Sequence, residues 1–145
     1  MGCDIHMHTE VRINGCWYLY SKPDIGRNYD LFHILGNEGR GSYLGLCFPL
    51  KGLPNDLSPM TQFIWEEVEG KDGHSLSHLT YEEICRLYEW CATTELSHGR
   101  NCARWLDEFG YLFGHMWDAS VRFNDVDYRC GLNESDVRWV FWFDN

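Results

Sequence analysis

Apolar and polar residues alternate from Cys3 to Ile13, with Cys3, Ile5, Met7, Val11 and Ile13 on one side and Asp4, His6, His8, Glu10 and Arg12 on the other. A period of two is that of a half-buried strand. Asn14-Gly15 follows, and then Trp17 to Tyr20. Both central positions of a type I′ turn require positive φ, which Asn and Gly tolerate, so the segment predicts a hairpin. Asn28 to Leu35, with Leu31, Phe32, Ile34 and Leu35 apolar, predicts a short helix stopped by Gly36. Residues 36–58 carry five glycines and two prolines with no sustained period and read as a long structured loop, a kind that tends to be functional.

Ser58-Pro59 supplies a cap and a first-turn proline for a helix running to about Glu69, ahead of Gly70. Lys71 to Leu79 reads as a second polar loop. Thr80-Tyr81-Glu82-Glu83 is a capping box, followed by Ile84, Leu87, Tyr88 and Cys91 at helical spacing. A further helix from about Gly99 to Phe113 would place Cys102, Trp105, Phe109, Leu112 and Phe113 on one stripe. Val137 to Phe143 is apolar on both faces apart from Arg138, as in an interior strand covered on two sides. The expected architecture is α+β: a small, mostly antiparallel sheet in which the last strand lies beside the first, with helices packed on one face.

A chain of 145 residues fits a single domain spanning 1–145. An aromatic fraction of 16%, including seven Trp, exceeds what such a core needs, so some rings are expected to face a ligand or a partner, including copies of the chain in an oligomer. The net charge of −10 argues against duplex nucleic acid and anionic membrane as partners. It leaves room for a small phosphorylated ligand, which one or two well-placed arginines can hold. Seven cysteines with no CxxC pair fit reduced thiols in the cytoplasm better than a zinc finger or a disulfide framework. There is no apolar run of membrane-spanning length and no signal-peptide pattern at the start, so a cytoplasmic location is expected.

Three constellations carry candidate chemistry. On the first strand, Asp4, His6 and His8 point the same way, roughly 7 Å apart from one to the next. Asp4 is placed to orient His6, and His6 with His8 is placed to reach a divalent metal. The ordinary alternative is a solvated strand face, which more commonly carries Lys, Glu, Thr or Arg. The second constellation is His74, Ser75, Ser77 and His78, just before the capped helix, where hydroxyls and free amides suit a phosphate and a histidine suits proton transfer. His6 and His74, one accepting and one donating a proton, would suffice to cleave a phosphodiester without metal. The third is Arg27 and Tyr29 at a helix start, with Arg40 and Arg138 as further phosphate contacts and Trp17 or Tyr29 as a stacking surface for a base. No Walker motif, dinucleotide-binding glycine fingerprint or nucleophile elbow is present.

The His-x-His of the first strand resembles the opening strand of amidohydrolase and polymerase-histidinol-phosphatase metal enzymes over about six residues. Those enzymes use barrels of more than about 200 residues with several later ligands, a pattern this chain lacks. A broader resemblance rests on Gly2-Cys3-Asp4-Ile5-His6, the stretch Gly26 to Phe32, Lys51-Gly52-Leu53-Pro54, His74-Ser75-Leu76-Ser77 and the ending Val140 to Asp144. Together these look like a family of small bacteriophage and prophage proteins, in which the place of His8 is often not histidine. That resemblance draws attention to Asp4 and His6.

By analogy of context it implies an antagonist of bacterial nucleotide signalling. The leading expectation is a hydrolase that cleaves a nucleotide immune signal such as a cyclic dinucleotide. Asp4, His6 and His74 would be catalytic, with Trp17, Arg27, Tyr29, Arg40, Ser75, Ser77 and His78 at the ligand and no cofactor required. The alternatives are a non-catalytic protein that sequesters such a signal, a metal-dependent phosphoesterase using Asp4, His6 and His8, and an acidic inhibitor of a host protein.

Overall fold

The computed structural model describes residues 2–38, 45–93, 121–123, 126–128 and 133–145. The helix expected over 99–113 and the candidate Arg40 lie outside them. Strands β1 (Asp4–Ile13) and β2 (Cys16–Ser21) form the expected hairpin, with Ile13 opposite Cys16 and positive φ at Asn14 (52°) and Gly15 (80°). Helix α1 (Tyr29–Gly36) is capped by the Asn28 side chain, which accepts from the Leu31 amide. It ends one residue later than expected, because Asn37 takes the left-handed conformation that closes the last turn.

Helix α2 (Pro59–Ile64) starts at the expected Ser58 cap and runs on into a π-helical turn, Trp65–Glu69. Strand β3 (His74–Thr80) replaces the expected polar loop. The Thr80–Glu83 capping box then opens helix α3 (Tyr81–Thr93), each residue's side chain accepting from the other's amide. Short strands β4 (Val121–Phe123) and β5 (Val126–Tyr128) pair with each other. A 3-10 turn, Glu134–Asp136, leads into β6 (Val137–Asp144).

The main sheet is antiparallel throughout, in the order β2-β1-β6-β3. The last strand therefore lies beside the first, as its doubly apolar pattern implies, and is buried from Val137 to Phe143. On one face, Met7, Phe141 and Phe143 pack with Leu31 and Phe32 of α1 and Ile84 of α3. Gly36 lies so close to the Phe143 ring that an added Cβ would overlap it. Because Phe143 is fully buried, Gly36→Ala is expected to cost about 1–3 kcal/mol of stability, read as a lower denaturation midpoint.

The other face differs from expectation. It is covered rather than open, because α2 and the π-helical turn lie across it: Thr61 reaches His8, Trp65 packs edge-on against Trp142 at 5.1 Å, and the Ser58 amide reaches Glu10. His8 and Glu10, on the polar side of the alternation, are thus fully buried. Helices pack on both faces of the sheet. Among the described residues, no helix is long and apolar enough to cross a membrane.

Candidate functional site

The covered polar face carries a chain of side-chain contacts running along β1 and β6. At one end His6 Nε2 is 2.7 Å from Asp144 Oδ2, a hydrogen bond across two ends of the sequence brought together by the β1–β6 pairing. The imidazole stacks on Trp142, with ring centroids 6.0 Å apart and planes at 24°, and keeps 22% of its side chain exposed. Glu69, from the π-helical turn, enters from the other side. Its Oε2 is buried, 3.1 Å from His6 Nδ1 and 3.6 Å from His8 Nε2, with no aligned hydrogen bond to either. Burial pushes the Glu69 carboxyl up, but Lys22, which pairs with Oε1, and the two histidines outweigh it and leave the group below its ordinary range.

His8 is further in. Its Nδ1 meets Thr61 Oγ1 at 3.2 Å, and its ring lies 4.7 Å from that of Trp142. Burial, aided by Lys22 and opposed by Glu69 and Glu10, pushes its pKa down to about 4, so the ring is neutral at neutral pH. Beyond Thr61 and Ser58, Glu10 accepts from the Ser58 amide at 2.8 Å and from Arg138 Nε at 2.8 Å. Arg138 also donates to Asp56 Oδ1 at 2.8 Å and lies 3.8 Å over the Trp17 ring.

The structure redistributes the sequence candidates. Asp4 does not orient His6: its carboxylate is held by Arg27 at 2.7 and 3.0 Å, and that partnership keeps its pKa below the usual carboxylate range. Asp144 and Glu69 take the expected role of Asp4, and neither is signalled by local spacing. His6 and His74 are not brought together. His6 pairs with Trp142 and His74 with Phe143. Directly opposed residues share a face and successive residues alternate, so the two histidines lie on opposite faces of the sheet.

His74 Nδ1 instead meets Glu38 Oε1 at 3.0 Å, and Ser75 Oγ donates to the same oxygen. Ser77 is buried and accepts from the Lys51 amide, a structural role, while His78 Nδ1 pairs with the Gly52 carbonyl. Tyr29 packs edge-on against Phe32 at 5.7 Å. Asp4, His6 and His8 do not converge on one point. Among the described residues the metal-compatible group that does converge is Cys3, Glu38 and His74.

At the opposite end of β6 the lining of a cleft of about 480 Å³ includes Trp17, His78, Tyr81, Glu82, Glu134 and Arg138. Arg138 and Trp142 are four residues apart on β6, so the cleft and His6 stand roughly 13 Å apart along the strand. The cleft gathers three of the expected ligand-binding residues, Trp17, His78 and Arg138, and the catalytic candidates lie elsewhere. Compared with protein-family models, curated proteins and solved structures, the chain has no match to any of them.

Proposed function

We propose that the chain is a metal-independent hydrolase of a small phosphorylated ligand, a nucleotide signal, with His6 as its acid/base group. The observation that carries this is the placement of His6, partly exposed and gripped by carboxylates from two other elements. In the tautomer that donates from Nε2–H to Asp144, Nδ1 is the nitrogen left to take a proton, and Glu69 beside it stabilises the imidazolium that results. A water donated to Nδ1 loses its proton as it attacks phosphorus, and the resulting imidazolium returns a proton to the leaving oxygen. Lys22, paired with Glu69, and Arg27, paired with Asp4, are the cations that would hold the phosphoryl oxygens. The nucleotide substrate is taken by analogy of context, from the resemblance of the opening Gly2–His6 segment and four later segments to small bacteriophage proteins.

Incubation with a panel of cyclic and linear nucleotides, analysed by chromatography and mass spectrometry, is expected to show cleavage of one of them. His6→Ala is expected to lower that activity by about 10²–10⁴-fold with the fold intact by circular dichroism. Undiminished cleavage by the variant would remove the proposal.

A second reading, sequestration without chemistry, is favoured by the cleft at Trp17, whose volume suits a small ligand. It predicts depletion of one nucleotide that reappears intact on heating the complex, with quenching of tryptophan fluorescence that Trp17→Phe diminishes.

A further inference from the structure

Cys3, at the entry to β1, Glu38, just past the end of α1, and His74, at the start of β3, come from three separate parts of the chain. One ligand-type atom from each lies within 4.8 Å of the others. Ligands about 2.0–2.3 Å from a tetrahedral zinc ion stand roughly 3.3–3.8 Å apart, so side-chain rotation alone closes this group around an ion. We propose that Cys3, Glu38 and His74 form a mononuclear binding site for a divalent ion of the zinc class.

The local backbone is shaped to bring them together. The β3–β6 register slips between His74 and Ser77, and Ser75 inside that slip has φ of 54°, a left-handed conformation unfavourable for a residue with a side chain. Bulges of this kind re-aim a neighbouring side chain, and here the neighbour is His74, turned toward Glu38. That turn brings His74 Nδ1 to 3.0 Å from Glu38 Oε1, close to the spacing of two ligands on one ion.

The charge balance points the same way. Around the buried Cys3 stand Glu38, Asp144 and Asp4, and the guanidinium of Arg27 is taken up by Asp4. A divalent cation reverses that balance, and its binding releases the Cys3 proton to solvent as the thiolate–metal bond forms. One thiolate and one imidazole select a borderline-soft ion over magnesium or calcium. Glu38 and His74 keep 24% and 33% of their side chains exposed, which gives an ion a route to the buried Cys3 thiol. This site is on the face of the sheet opposite His6, so it stands whether or not His6 is an acid/base group.

Cobalt(II) titration of the metal-free, reduced chain tests the site without reference to any activity. The expected result is one ion bound per chain with a sulfur-to-cobalt charge-transfer band in the near ultraviolet, lost in Cys3→Ser. His74→Ala and Glu38→Gln change partly exposed residues and are the variants expected to keep the fold. Each is expected to weaken binding by at least about 100-fold, the upper end of what losing an outer-shell partner alone costs. Absence of the band, its persistence in Cys3→Ser, which would place the ion on other cysteines, or unchanged affinity in both His74→Ala and Glu38→Gln would each overturn the proposal.

Discussion

Glu10→Ala is expected to lower the unfolding free energy by about 3–5 kcal/mol, a large share of the stability of a domain this size, with the denaturant midpoint falling accordingly. Glu10 is completely buried, and its carboxylate has two partners, Arg138 Nε and the Ser58 amide, both at 2.8 Å. Its removal leaves Arg138, only 7% exposed, with Asp56, whose side chain is 68% exposed, as its remaining carboxylate. It also leaves the amide of the α2 cap residue without an acceptor.

The two losses separate by experiment. In the double variant Glu10→Leu/Arg138→Met no buried charge remains, and most of the loss is expected to be recovered, since an apolar pair of similar volume commonly matches a buried ion pair. The residual deficit of about 1–3 kcal/mol belongs to the Ser58 amide. If the double variant is as unstable as the single one, the stabilisation lies in the cap and not in the ion pair.

That buried pair also shows where sequence legibility stops. Alternation from Cys3 to Ile13 tells which side chains share a face, and the structure keeps that division. Alternation does not tell which face is wet. The cover over His8 and Glu10 comes from Ser58, Thr61 and Trp65, some fifty residues further along, and a helix packed there turns a polar strand face into an interior network.

Features set by local stereochemistry were legible. These are the Asn14-Gly15 turn, the Ser58 cap, the Thr80–Glu83 capping box and the doubly apolar β6. β3 was not legible, because His74-Ser75-Leu76-Ser77-His78 has the composition of a loop. It is a strand because it sits at the sheet edge beside β6, where Ser77 and His78 find partners in the 51–52 backbone and Ser75 sits in a register slip. The candidate site followed the same division. His6 was marked by its strand and by its neighbours in sequence, but its partners Asp144 and Glu69 are fixed by strand pairing and by a helical turn, both long-range.

His8 supplies the second large effect, in the pH dependence of stability. Its folded pKa of about 4 lies below the ordinary 6.5, so between those values the unfolded chain takes up a proton that the folded chain refuses. Stability therefore falls as pH drops through 6.5 and levels off below about 4, and the full difference amounts to about 3 kcal/mol. Above pH 7 both states are neutral at this position and it contributes no slope. Glu69, the other perturbed group on the ring, acts lower: its depressed pKa adds stability above about 4.5 that is lost as the carboxylate protonates.

In the window from pH 6.5 to 5 the His8 contribution is read as the difference between the parent and a variant that cannot titrate at this position. In His8→Asn the amide can keep the contact that Nδ1 makes with Thr61 but cannot titrate. Urea denaturation across this window is expected to show the parent losing stability steadily while the variant loses less, the difference between them growing as pH falls. Parallel curves would mean that His8 takes up its proton in place, with Glu69 3.6 Å away receiving the charge, and the covered face of the sheet would then be a proton-accepting site rather than a dry one.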